Sequence, residues 1–334
     1  MNESHVNVQL AAAPHLQGRD DVSAVMRQVI YALLPATLFS FYVFGSVAVL
    51  VLLTALLSCA LTEWCACRLA GKANTLSDYS ALVTGLIYAL TLPPSLPLWM
   101  VALGGVVSIG LGKILFGGLG HTVFNPALVG RAFLQAAFPT ALTTWLPPLT
   151  PQRFTHLPES TLAWPFAQPH YDVVASATPL AAQKFSQQAT PLWDLFIGLT
   201  AGSLGETSAL LLLLGGVYLI VRGIADWRIP VSILASVGLL SALLHGVDAK
   251  LYPSASFMLC AGGLMLGAWF MATDPVAAPI TAIGRIVYGV IIGLLVVIMR
   301  LWGGMAEGVM YAILLANAMA PLLDRYLQPR VYGH

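Results

Sequence analysis

Long apolar runs separated by short polar turns dominate this chain and leave it few ways to fold. The run from 47 to 67 contains a single charged side chain, Glu63. A helix of about 20 apolar residues spans the hydrocarbon core of a bilayer. Only 9% of the residues are charged, whereas soluble domains carry about 25%. The sequence therefore predicts an all-α integral membrane protein that packs against lipid.

The apolar segments predict about ten transmembrane helices. Their expected bounds are 29–44, 47–67, 78–92, 97–116, 121–138, 193–222, 229–246, 255–271, 283–300 and 305–323. Segment 193–222 is too long for one straight crossing, and residues 202–208 in its middle predict a break. The chain then divides into an N-terminal segment 1–28, a first transmembrane repeat 29–138, a loop 139–192, a second repeat 193–323 and a tail 324–334.

A loose internal repeat relates the two sets of crossings. Lys113 and Asn125 in the first half correspond in order to Arg300 and Asn317 in the second. Two repeats with an odd number of crossings each must lie in opposite orientations. We therefore expect two inverted five-helix repeats, an arrangement that is common in transporters.

The distribution of Lys and Arg orients the predicted bundle. One set of helix ends carries Arg19, Arg27, Arg68, Lys72, Lys113, Arg222, Arg228, Arg285, Arg325 and Arg330, and the other carries Arg153, Lys184 and Lys250. Positive residues favour the cytoplasmic side of a membrane. We therefore expect a protein of the bacterial inner membrane, with both termini in the cytoplasm, an irregular periplasmic loop at 139–192 and no cleavable signal peptide.

Thr178, in the long polar interval, predicts the start of a helix. Thr is a favoured N-cap residue, and Pro179 suits the first helical position. A helix N-terminus also offers unpaired amides and a partial positive charge, which can hold a phosphate without Lys or Arg. One residue can therefore serve as a cap and as an attachment point.

The stretch Ser-Ala-Thr-Pro-Leu at 176–180 resembles the flavin-attachment motif of the D subunit of the Rnf electron-transport complex. That family is related to the B subunit of the sodium-translocating NADH:quinone reductase. Four further stretches resemble the family in the same order: Phe-Asn-Pro-Ala at 124–127, Trp-Leu-Pro-Pro at 145–148, Met-Ala-Thr-Asp-Pro-Val at 271–276 and Gln-Pro-Arg-Val-Tyr-Gly-His at 328–334. The chain departs from the pattern at 122–123, where Thr-Val stands in place of Asn-Pro. The ordered set is nevertheless specific and covers nearly the whole chain.

The resemblance implies FMN joined by a phosphoester to Thr178, with Ser176 as the next candidate. It implies a membrane subunit of a six-subunit, ion-translocating ferredoxin:NAD⁺ oxidoreductase complex, a redox-driven translocase whose electron flow is coupled to cation transport. This subunit would not be active alone. A second FMN-bearing subunit is implied as its redox neighbour, and riboflavin bound without a covalent bond is implied as a further cofactor of this chain.

A tethered flavin still needs an apolar slot for its ring and hydrogen-bond donors at its edge. The candidates in the break of segment 193–222 are Gly202, Ser203, Gly205, Thr207 and Ser208. A compatible alternative is that Ser203 and Glu206 form a capping box at a helix start. Because ionisable residues at membrane depth are costly, Glu206 and then Glu63 are candidates for an ion pathway.

Several functions are excluded or left as alternatives. The chain has no basic patch for nucleic acid and no Gly-rich nucleotide turn for NADH. Its cysteines and histidines lack metal-ligand spacing, including Cys65 and Cys67. Two alternatives remain: a B-type subunit of a sodium-translocating NADH:quinone reductase, which the short N-terminal segment disfavours, and a flavin-free channel or transporter with inverted repeats.

Overall fold

The structure, a computed structural model, describes residues 21–71, 74–155, 157–165, 176–188, 190–206, 208–249 and 251–328. Within these ranges all regular structure is helical, apart from one isolated antiparallel bridge between Trp145 and Ser176. Four described helices are long and apolar enough to cross a membrane, and three shorter apolar helices accompany them. The described residues therefore agree with the predicted all-α membrane protein.

The helices follow one another in this order: α1 Val22–Phe44, α2 Ser46–Leu69, α3 Ser80–Leu90, α4 Leu98–Ile109, α5 Pro126–Ala137, α6 Pro139–Leu142, α7 Pro179–Ser186, α8 Leu192–Ile197, α9 Ala209–Val221, α10 Arg228–Val247, α11 Ala255–Cys260, α12 Leu264–Leu266, α13 Ala282–Trp302 and α14 Val309–Tyr326. Short 3₁₀ turns lie at Leu76–Asp78 and Glu159–Leu162. Wider π-helical turns, Gly110–Ile114 and Gly267–Met271, continue α4 and α12.

Two predicted crossings are interrupted. Segment 193–222 consists of α8 and α9, which are separated by the predicted break. Segment 255–271, predicted as one continuous helix, is instead α11, α12 and a π-helical turn. Gly262, with φ of 68°, lies between α11 and α12 in a conformation that glycine adopts without a steric penalty. The prediction of one helix was wrong because hydropathy does not reveal a local reversal of φ.

The helices pack in the same order in both halves of the chain. α2 packs on α3 and α4, and α4 packs on α5; likewise α10 packs on α11 and α13, and α13 packs on α14. α1 contacts α9 and joins the two halves. Lys113 and Arg300 are both buried cations, and Asn125 and Asn317 are both buried amides. These shared features agree with the internal repeat in the sequence.

The polar loop after α5 lies over one end of the helix bundle. Three hydrogen bonds hold it there: Leu149 N to the Val43 carbonyl at 3.1 Å, Ser46 N to the Arg153 carbonyl at 3.1 Å, and Ser95 Oγ to the Thr144 carbonyl at 2.5 Å. They reach the α1–α2 and α3–α4 turns. On α7, Lys184 Nζ donates to the Gly303 carbonyl beyond α13 at 2.5 Å. The loop therefore joins the ends of helices from both halves.

The close approach of α3 and α4 requires a glycine at 104. A Cβ atom there would collide with the Tyr88 hydroxyl, which donates to the Val101 carbonyl at 3.0 Å. We expect Gly104→Ala to lower the unfolding free energy by about 1–3 kcal/mol, as overpacking does. Thermal unfolding in detergent measures this loss.

Gly110→Ala is the matched control for that substitution. Gly110 has a helical φ of −62°, and nothing lies within 4 Å of its Cβ position. Replacing it should be neutral or slightly stabilising, because Ala is the better helix former. Equal melting temperatures for the two variants would contradict the packing argument.

Candidate functional site

Thr178 begins α7, as the sequence predicts. Its backbone is extended, its Oγ1 accepts a hydrogen bond from Ala181 N at 3.2 Å, and Pro179 occupies the first helical position. The Thr178 side chain therefore lies beside the amides and the positive dipole end of the helix. The residues present fit a phosphoester at this hydroxyl. Ser176 donates its backbone N–H to the Trp145 carbonyl at 3.0 Å, which fixes the chain just before the cap.

A cavity of about 230 Å³ adjoins α7. Gln183 and Lys184 of α7 form one wall, and Tyr252 and Trp302 contribute aromatic rings whose centroids lie 6.2 Å apart. Burial lowers the pKa of the Lys184 amine from its ordinary value. The cavity offers what a flavin ring tethered near α7 requires, namely an aromatic surface and a few polar groups.

The break between α8 and α9 packs against the protein's own backbone. Gly205 N donates to the Leu90 carbonyl at 2.6 Å, and a Cβ at Gly205 would lie 2.8 Å from the same oxygen. Ser208 Oγ accepts from Leu211 N at 3.3 Å and caps α9. Thr207 lies outside the described residues. Gly205 therefore packs closely against the backbone of α3, and flavin contacts of the residues in the break stay predictions.

The predicted capping box of Ser203 and Glu206 is present only in part. Glu206 Oε2 accepts from Ser203 N at 3.1 Å, as in a capping box. However, α9 begins at Ala209 with Ser208 as its N-cap, so Ser203 caps no helix. Ser203 and Glu206 instead close a turn, and a Cβ at Gly202 would lie 2.7 Å from Glu206 Oε2. The carboxylate therefore lies directly on the backbone of the break.

Glu206 belongs to a cluster of four charged side chains, of which the two arginines are buried and the two glutamates are partly buried. Its carboxyl and that of Glu307 line the same small cavity, and both lie close to Gly263. Glu307 Oε1 in turn accepts from Gly263 N at 3.0 Å and from Arg300 Nη2 at 3.3 Å. Arg131 of α5 lines the same small cavity. Sequence reasoning had missed Arg131, although its position inside the predicted crossing 121–138 marks an ionisable residue at membrane depth.

The helix that begins at Thr178 reaches this cluster. A Cβ at Gly262 would lie 2.5 Å from Leu180 Cδ1 and 2.8 Å from the Glu307 carboxyl oxygens. A Cβ at Gly263 would lie 3.3 Å from Glu206 Oε1. The turn at 262–263 therefore contacts α7 on one side and both carboxyl groups on the other.

Glu63, the second ion-pathway candidate, forms a buried ion pair with Lys113. The Lys113 Nζ atom lies 2.7 and 2.8 Å from the two carboxylate oxygens and also donates to Ser80 Oγ at 2.6 Å. Thr75 Oγ1 donates to Glu63 Oε1 at 2.5 Å. The charge of Glu63 is therefore neutralised within a hydrogen-bonded network of its own.

A further cavity, of about 140 Å³, lies between the two halves near the start of α1. Ile87 and Phe270 contribute apolar surface, and Asn125 and Asp274 contribute polar groups. Asn125 Nδ2 donates to the Met271 carbonyl at 3.2 Å, which brings two of the family-like motifs together. Residues from both halves of the chain therefore line this cavity.

Cys65 and Cys67 are free thiols near the end of α2. Cys67 Sγ lies 3.4 Å from Thr75 Oγ1. Among the residues that the structure describes, no group of three or more His, Cys, Asp or Glu side chains could hold a metal ion.

Membrane-length helices, a polar loop over one end of the bundle and buried charged residues within a mainly apolar core define a multi-pass membrane protein. The chain belongs to the NQR2, RnfD, RnfE family, whose sequence profile matches residues 9–333. The family resemblance predicted from the motifs is thereby confirmed.

Three curated relatives are similar over nearly their whole length, and each is the D subunit of an ion-translocating oxidoreductase complex. The relative from the Na⁺-translocating ferredoxin:NAD⁺ oxidoreductase complex of Acetobacterium woodii is 40% identical over 338 residues, covering 100% of this chain and 97% of the relative. The proton-translocating counterpart of Clostridium ljungdahlii is 38% identical over 334 residues, covering 97% and 96%. The relative from the ion-translocating oxidoreductase complex of Stutzerimonas stutzeri is 40% identical over 333 residues, covering 94% and 93%.

Proposed function

We propose that this chain is the electron-carrying D-type subunit of an ion-translocating ferredoxin:NAD⁺ oxidoreductase complex, with FMN joined by a phosphoester to Thr178. The observation that carries the proposal is the position of the Thr178 hydroxyl at the N-terminus of α7, inside the attachment-like motif. The names of the relatives support the complex. When bound, FMN supplies reversible electron transfer. The remaining subunits, including a second FMN-bearing one, are proposed partners.

The chain's own residues bind and orient the cofactor. The first-turn amides of α7 and the helix dipole hold the phosphate. Tyr252 and Trp302 offer aromatic surface beside α7. Lys184 donates to the Gly303 carbonyl and keeps α7 against the end of α13. We assign riboflavin, as a second and non-covalent cofactor, to the cavity between the two halves, because its wall is largely apolar with polar groups at the edge.

We further propose ten crossings in two inverted five-helix repeats. α1 begins at the cavity between the two halves with Val25, whereas α9, its counterpart, ends there with Leu219. The π-helical end of α4 also reaches this cavity through Lys113, whereas its counterpart α13 ends beside the loop, where Lys184 donates to Gly303. Counterpart helices that run in opposite directions support the inverted arrangement.

Most Lys and Arg residues lie at the helix ends that face away from the loop. This distribution supports a periplasmic loop and cytoplasmic termini in the inner membrane. In a Cys65→Ser background, we expect a cysteine placed at exposed Glu159 to react with a membrane-impermeant thiol reagent added to intact cells. Asn74→Cys, exposed after α2, is the matched control and should react only after the membrane is opened. Labelling of Asn74→Cys in intact cells, with labelling of the cysteine at Glu159 only after the membrane is opened, would show that the topology is the reverse of the proposed one.

Covalent flavin is tested on the purified subunit. Denatured wild-type protein should fluoresce in a gel, because a phosphoester survives the loss of tertiary structure. A denatured subunit without flavin would instead support a flavin-free channel or transporter.

A further inference from the structure

We propose that Glu206 and Glu307 form a proton-binding pair that holds one shared proton within the second half of the chain, beside Arg131 of the first half. The proposal extends the ion coupling of the proposed function and rests on that function for its physiological role. The binding of the proton itself depends only on residues of this chain. The two carboxyl groups come from the α8–α9 break and from the segment between α13 and α14. They line the same cavity, and a Cβ at Gly263 would lie 3.3 Å from Glu206 Oε1 and 3.6 Å from Glu307 Oε1.

A proton on one of the two carboxyl groups would stabilise their close approach. Two ionised carboxylates repel at this distance, whereas a protonated carboxyl donates its O–H to the other. Each group also accepts one backbone N–H: Ser203 N donates to Glu206 at 3.1 Å, and Gly263 N donates to Glu307 at 3.0 Å. These amides hold both carboxyl groups in place whichever of them carries the proton.

Arg131 provides an independent indication that the cluster takes a small ligand. It is 8% exposed and lines the cavity between the two carboxyl groups, and its Nε has no hydrogen-bond partner in the described part of the chain. The cavity measures about 30 Å³, which is room for about two water molecules. Water held in this cavity would satisfy Arg131 Nε and could exchange a proton with the pair.

The hydrogen bonds around the pair favour a proton over Na⁺. Arg131 from α5 and Arg300 from α13 both face the cluster. Arg300 also donates to the carbonyls of Met258 and Ala261, at 2.6 and 2.8 Å, and so occupies oxygens that a metal ion would need. A hard cation takes several oxygen ligands, and Arg300 already occupies two of the nearby carbonyls. A shared proton needs no further ligand.

The pair also lies close enough to α7 for a charge beside that helix to affect its proton. The turn at 262–263 contacts Leu180 of α7 on one side and both carboxyl groups on the other. Negative charge that arrives beside α7 stabilises a bound proton by electrostatic attraction. Reduction of the proposed flavin would therefore make the pair hold its proton more tightly.

Infrared spectroscopy of the purified subunit near neutral pH tests the proposal, with the spectrum of each variant compared with that of the wild type. We expect wild-type protein to show the carbonyl band of a protonated carboxylic acid. In Glu206→Gln this band should be lost, because Glu307, left with Arg300 and the Gly263 amide, ionises. In Glu307→Gln the band should shift, because an amide replaces the carboxyl partner. Glu159→Gln, at an exposed loop residue, should leave the spectrum unchanged in this region.

The band should persist in a flavin-free Thr178→Val subunit, so failure of the proton site and failure of the flavin proposal are distinguishable. A wild-type spectrum without the band, or a band unaffected by both glutamine substitutions, would overturn the pair. Loss of the band when Na⁺ replaces K⁺ at constant pH would assign the site to the metal ion instead.

Discussion

Thr178→Val should abolish covalent flavin while the subunit still inserts into the membrane. Valine keeps the shape of the side chain but removes the only oxygen at this position that can form the ester. In-gel flavin fluorescence of the denatured protein should fall to background. Because the Thr178 hydroxyl also caps α7, we expect the variant to lose about 1 kcal/mol of unfolding free energy as well.

Ser176→Ala is the matched control, since Ser176 lies in the same motif but is held through its backbone N–H, which alanine retains. This variant should keep full fluorescence. If denatured Thr178→Val protein fluoresces and denatured Ser176→Ala protein does not, the flavin is attached to Ser176. Fluorescence in both single variants would place the ester elsewhere.

Lys113→Met should produce the largest loss of stability. It leaves Glu63, which is 2% exposed, as a buried carboxylate without its cation. Breaking one partner of a buried pair costs about 3–5 kcal/mol, because the remaining charge stays desolvated. Thermal unfolding in detergent should show a clear drop in melting temperature, and membrane levels of the protein should fall.

The double variant Glu63→Gln with Lys113→Met separates charge from packing. Glutamine keeps an acceptor for Thr75 Oγ1, and the pair then carries no charge. We expect it to regain most of the stability that Lys113→Met loses, since neutral replacements of buried pairs are often tolerated. A double variant as unstable as the single one would show that Lys113 contributes by packing alone.

Local chemistry explains what the sequence could predict. Thr178 before Pro179 identified the start of α7, because capping depends on neighbouring residues only. The glycines and serines of 202–208 identified the break for the same reason. Lys113 and Arg300 suggested the loose internal repeat, since both interrupt apolar segments, and the structure buries both side chains.

Contacts between distant segments account for what the sequence could not predict. Glu206 suggested a capping box with Ser203, yet α9 begins later and the carboxyl meets Glu307 from the far end of the second half. The Gly262 reversal and the contact of Leu180 with it likewise join segments whose proximity no periodicity encodes. Such pairings arise only when the second half of the bundle and the loop pack together.

The burial of Thr178 has a consequence for how the protein matures. The residue is 9% exposed, and Lys184 anchors its helix to the end of α13. A modifying enzyme has little access to a hydroxyl in that position. On the proposed attachment, we therefore expect the flavin to be added before α7 docks onto the bundle.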